Sequence, residues 1–241
     1  MTALFTPLLY LHLICAFLAT VLFWIAGSAM KGGPLHRRVG GWFSRFVYAT
    51  AATGAVMAIT RLAWRAADQA LTPAEAGERQ TMWLVLYVLL TIVAPVQHGI
   101  AVVAAGAVPG RVRSRLHATL AIGSMIGSMA ILPAALIWGQ WLFLIVAPIG
   151  FIVGLRNMAW ANRPAARRDE WEREHLTSLL TAGATLHTAL LVFSSSRSLG
   201  LHLPGVFALV PWTLPAVIGM IAILWLRTTW KAASPGPRKV L

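Results

Sequence analysis

The stretch MWLVLYVLLTIVAPVQHGIAVVAAG, residues 82–106, decides the fold. It holds no Asp, Glu, Lys or Arg over 25 residues. A helix needs about 20 mostly apolar residues to cross the hydrocarbon core of a bilayer. Six more runs of this kind lie at about 5–29, 42–61, 117–138, 141–159, 177–195 and 205–227. The composition agrees: 58% of the 241 residues are apolar and 11% are charged, against roughly 25% charged in soluble domains. A soluble fold of this size would have too little charge to cover its surface. The reading is an all-α integral membrane protein, a seven-transmembrane-helix bundle forming one domain over residues 1–230. A disordered cytoplasmic tail, 231–241, follows it. The first run has no basic residues before it and is too long for a signal peptide, so it is read as a helix. Cys15 follows Ile14 where a lipoprotein would need a small residue.

The net charge of +13 raises nucleic acid as a partner. The basic residues instead form short clusters between the apolar runs, so no nucleic acid is expected. Alternate connections carry 16 and 4 Lys and Arg residues. Cytoplasmic loops hold the excess, which puts the N-terminus out and the C-terminus in and requires an odd number of helices. Arg outnumbers Lys by 17 to 3, which suggests a GC-rich bacterial genome, and the expected location is the bacterial inner membrane. The expected partners are the lipid bilayer and, at the basic loops, anionic head groups.

Local signals set further expectations. Thr72-Pro73-Ala74-Glu75 reads as an N-cap, a first-turn proline and a reciprocal glutamate, so the third helix should begin near residue 73. Arg168/Glu172 and Asp169/Arg173 stand four apart, which predicts that the sixth helix starts ahead of its apolar run. Gly123-xxx-Gly127 and Gly150-xxx-Gly154, with only Gly139 and Gln140 between the two helices, predict a tight hairpin of helices four and five.

All seven acids lie outside the apolar runs. That weakens proton-coupled transport and carboxylate-dependent hydrolysis and leaves histidine as the intramembrane chemistry. His12 and His187 fall at similar depth, roughly 10 Å from the outer face at 1.5 Å per residue. His98 lies near the inner face, and His36, His117 and His175 open helices two, four and six there. An outer pair and an inner group on different helices would suit the axial ligands of a b-type haem. Haem b, used for electron transfer, is therefore the sharpest functional reading, with His12, His187, His98, His36, His117 and His175 as candidate ligands. The alternative is a non-enzymatic lipid- or small-molecule-binding protein, or a transporter, whose histidines hydrogen-bond neighbouring helices. Thr177, Thr181, Thr185 and Thr188 beside His187 would supply such a polar seam. No metal other than haem iron is expected. The single cysteine excludes a thiolate cluster, and whether the chain is an enzyme stays open.

Lys31-Gly32-Gly33-Pro34-Leu35-His36-Arg37-Arg38-Val39-Gly40 resembles a turn between the first two helices of a group of bacterial multi-pass membrane proteins of unknown function. The likeness covers about ten residues. It extends loosely to Trp171-Glu172-Arg173-Glu174-His175 and the Thr-rich helix after it. The resemblance implies a multi-pass helical protein, with His36, Gly40 and His175 as shared positions, and implies no activity.

Overall fold

The computed structural model describes residues 2–65, 72–139, 141–197, 207 and 209–233. Among these, seven α-helices follow one another: α1 (Thr2–Ser28), α2 (Pro34–Arg65), α3 (Pro73–Ala105), α4 (Arg115–Ile137), α5 (Trp141–Ala161), α6 (Arg168–Arg197) and α7 (Val210–Ala233). A 3-10 turn, Pro109–Val112, joins α3 to α4. The first six are long and apolar enough to cross a membrane; the apolar part of the seventh, Val210–Leu226, is shorter. Large apolar side chains such as Ile14, Phe17, Ile126, Met129, Leu136 and Ile221 are exposed. Such outward apolar surface suits lipid and not water.

Helices α2 and α6 start well before their apolar runs. Hydropathy measures what fits in lipid, whereas a helix can continue into water wherever its backbone is capped and its charges are paired. Pro34 occupies the first position of α2, where its missing N–H is not needed. At α6, Arg168 pairs with Glu172 at 2.8 Å and Arg173 with Asp169 at 2.7 Å. At α3 the Thr72 Oγ1 accepts from the Glu75 N–H at 3.3 Å and the Glu75 carboxylate accepts from the Thr72 N–H at 2.9 Å, the reciprocal cap expected there. Of the tail, Lys231–Ala233 close α7 and the remainder lies outside the described residues, as does the segment 198–206 that holds His202.

The chain divides into two compact units, Met1–Ala94 with Ala118–Arg156, and Pro95–His117 with Asn157–Leu241. In the first, small residues of α1 (Cys15, Ala19, Ala26) and Phe43 and Val47 of α2 are buried, and Phe23 packs on Phe43 with ring centroids 5.8 Å apart. Helices α4 and α5 meet as a hairpin whose turn uses the left-handed Gly139 (φ 64°). A Cβ on Gly150 would lie 2.8 Å from Ser128 Oγ and 2.9 Å from the Ser124 carbonyl, and one on Gly154 would run into the Ala121 carbonyl. The α5 glycines therefore face Ala121, Ser124 and Ser128. The α4 glycines point elsewhere: Gly123 faces Leu90 and Gly127 faces Tyr87 on α3. Tyr87 also enters the α5 ladder after Pro148. Its hydroxyl accepts from the Gly150 N–H at 2.8 Å and donates to the Ala147 carbonyl at 2.6 Å.

In the second unit, Val102, Ala105, Val112, Trp160, Ala161 and Ala166 form one apolar cluster. Two contacts tie its loops together. The Ala166 N–H donates to the Ala107 carbonyl at 3.1 Å, and Arg113 donates to the Ala161 carbonyl at 3.1 Å and to Asn162 Oδ1 at 2.6 Å. α6 lies along α7, where Gly219 faces Ala184.

Candidate functional site

Two of the candidate histidines, His98 and His117, meet in the second unit. His98 lies on the buried stripe of α3, with Thr91, Ala94 and Val102 on the same face. Gly99 lets α6 come close, since a Cβ there would lie 2.5 Å from Leu179 Cδ2 and 3.3 Å from Ser178 Cβ. That approach brings Glu174 to His98: Nε2 and the carboxylate oxygen are 3.1 Å apart. On its other edge, His98 Nδ1 is 3.0 Å from Nε2 of His117. His117 is held at the first turn of α4, where its N–H donates to Ser114 Oγ at 3.1 Å. His98 is wholly buried, His117 is 3% exposed and the Glu174 side chain 11%.

A carboxylate only accepts, so an ionised Glu174 takes its hydrogen bond from His98 Nε2–H, and a neutral His98 then accepts at Nδ1 from His117 Nε2–H. His175, one residue beyond Glu174, donates from Nδ1 to the Gly99 carbonyl at 2.9 Å. Asn157 Oδ1 and Trp160 Nε1, in the part of α5 that belongs to this unit, are buried without a hydrogen-bond partner.

The other candidate histidines bond to backbone. In the first unit, His12 donates from Nδ1 to the Thr50 carbonyl at 3.0 Å, with Thr53 Oγ1 at 3.1 Å and Gly54 against its ring. His36 donates from Nδ1 to the Ala26 carbonyl at 3.0 Å. Lys31 also reaches the end of α1, at the Gly27 and Ala26 carbonyls. The Lys-Gly-Gly-Pro-Leu-His turn thus caps α1 with two side chains. It turns through a left-handed Gly32 (φ 75°), and a Cβ on Gly33 would sit 3.0 Å from the Met30 carbonyl. In the second unit, His187 donates from Nδ1 to the Gly183 carbonyl one turn back, at 2.7 Å. Thr181 and Thr185 likewise bond within α6, to the carbonyls four residues before them.

Of the six candidates, His98 and His117 are brought into direct contact, with His175 on the backbone beside them. The group sequence reading passed over is Glu174. It stands outside the apolar run, yet at helical spacing it continues the buried stripe of Ser178 and Ala182, and that stripe is the signal for it. Both ring nitrogens of His98 are engaged within the protein. Iron between the His98 and His117 rings would need about 4 Å between the nitrogens, from metal–nitrogen bonds of about 2.0 Å, more than the 3.0 Å present. No group of three or more His, Cys, Asp or Glu among the described residues is arranged to hold a metal ion. No family model, curated protein or solved structure matches the chain.

Proposed function

We propose that this is a multi-pass protein of the bacterial inner membrane that binds or moves a small molecule or lipid, with its histidines serving as hydrogen-bonding groups and not as iron ligands. One observation carries the reading: the His98–His117 contact of 3.0 Å, with Glu174 on the far edge of His98. A buried imidazole with both nitrogens hydrogen-bonded is satisfied without a metal. The contact also restores what the placement of the acids in sequence weakened, because a carboxylate now joins a wholly buried histidine. Intramembrane ionisable groups of this kind mark ion and substrate pathways. The orientation proposed with it, N-terminus out and C-terminus in, rests on the 16-to-4 split of basic residues.

Haem-linked electron transfer is the second reading. It is favoured by His12, whose Nδ1 is fixed on the Thr50 carbonyl. A carbonyl on one ring nitrogen, leaving Nε2 with its lone pair, is how a metal-binding histidine is usually oriented. The visible spectrum of the purified protein separates the two. A colourless preparation, from cells supplied with haem precursor, is the expected result. A Soret band that shifts on dithionite reduction and is lost in His12→Ala would overturn the first reading in favour of the second.

A further inference from the structure

We propose that Arg38 and Arg45 of α2 hold the phosphate of one anionic phospholipid between them, over Gly41 and beside Trp42. The four residues share one face of the helix, at spacings of three, four and seven, and all four are exposed. Nothing lies within 4 Å of the place a Cβ on Gly41 would take. The surface between the two arginines is therefore open down to the backbone.

The level of this face in the bilayer follows from the packing of the first unit. Phe23 of α1 meets Phe43 of α2, which puts Trp24 and Trp42 at one height. They are 61% and 46% exposed, and outward tryptophans gather where head groups meet hydrocarbon. Arg45 is three residues farther into α2, about 4.5 Å toward the hydrocarbon. Its guanidinium turns back and lies over the Trp42 ring, 4.8 Å from the centroid, as a long basic side chain does when it reaches for the interface. Arg38 stands four residues, or about 6 Å, from Trp42 on the head-group side. An anion at the level of the lipid phosphates falls between the two.

Charge identifies the occupant. The chain has no Asp or Glu before Asp68, and among the described residues neither arginine pairs with an acid. Two guanidinium groups on one face repel unless an anion joins them. Lys31 and His36, in the turn before this face, bond the last carbonyls of α1 instead. Other arginines are matched within the protein: Arg61 by Glu78, Arg163 by Glu170, Arg168 by Glu172, Arg167 and Arg173 by Asp169. A guanidinium lying over a ring keeps its N–H edge free, and that edge fits phosphate oxygens two at a time.

The site depends on the protein lying in a bilayer and not on what it binds or moves, and its test is read apart from the visible spectrum. The full-length protein, stripped of lipid in detergent, is titrated with phosphatidylglycerol or phosphatidylcholine, and native mass spectrometry counts the complexes. One phosphatidylglycerol should bind ahead of any phosphatidylcholine. An arginine near the membrane surface is worth about 5-fold in affinity, so Arg38→Gln combined with Arg45→Gln should weaken this binding roughly 25-fold. Gly41→Leu keeps every charge but fills the open surface, and should weaken it about 5-fold or more. Arg167→Gln combined with Arg168→Gln removes as much charge from paired positions and should change it about 2-fold or less. No preference for phosphatidylglycerol, equal losses in the two double variants, or an unmoved affinity in Gly41→Leu would each overturn the site. So would a dimer of the parent protein that the α2 double variant breaks while lipid binding stays unmoved, because a second copy would then be what covers this face.

Discussion

Gly154→Ala should destabilise the protein although it replaces glycine with a better helix former. A Cβ at this position would collide with the Ala121 carbonyl and lie 2.6 Å from Met125 Cγ. Met125 can swing away, but the carbonyl belongs to the α4 backbone, so relief requires the helices to separate. Overpacking of this kind costs about 1–3 kcal/mol, and a backbone obstacle puts Gly154 at the upper end, near ~3 kcal/mol. Alanine in place of glycine in a helix returns about 1 kcal/mol, leaving a net loss of about 2 kcal/mol. Gly123→Ala is the matched control. Its Cβ would meet Leu90 at 3.6 Å, an ordinary contact, so the propensity gain should stand nearly alone. The same chemical change should therefore separate the two variants by about 3 kcal/mol. Unfolding by sodium dodecyl sulfate in mixed micelles, followed by tryptophan fluorescence, measures the difference. Equal midpoints for the two variants would refute the close approach of α4 and α5.

Three other outcomes are expected. Tyr87→Phe removes the hydroxyl that accepts from the Gly150 N–H and donates to the Ala147 carbonyl; in the same unfolding assay it should cost about 1–3 kcal/mol, the range for leaving buried polar groups unpaired. Thr72→Ala removes one half of the α3 cap, and amide exchange at Glu75 and Ala76 should quicken roughly 5-fold, corresponding to about 1 kcal/mol, with no change at the α3 centre. Cysteines placed at the exposed positions Ala74 and Ala165 should differ toward an impermeant maleimide in spheroplasts, only the first reacting; equal or reversed labelling contradicts the orientation.

Several features were legible in the chain because they depend on neighbours in sequence. Apolar run length marks a helix able to cross a membrane whatever it packs against, and α1 to α6 are such helices. The Thr72–Glu75 cap and the Arg–Glu and Asp–Arg pairs that begin α6 are local as well, formed by residues three or four apart. The early start of α6 was thus anticipated from its charge pairs, whereas that of α2, at Pro34, was missed, because hydropathy registers the cost of charge in lipid and not the continuity of backbone hydrogen bonds.

The site depends on residues far apart in the chain. A residue's position along its helix follows from the rise per residue, but the direction its ring takes does not. His98 and His117 are 19 residues apart, and His98 and Glu174 are 76 apart; only tertiary packing makes them neighbours, for Glu174 that of α6 against Gly99. The same limit applies to the glycine motifs: spacing put Gly123 and Gly127 on one face of α4, and the tertiary structure turned that face to α3. Sequence by itself determined which segments are helical and apolar, since those properties arise within a few turns of one chain. Which polar groups meet was decided by tertiary structure, because a buried imidazole takes its partner from whichever backbone or side chain the packing brings within 3 Å or so.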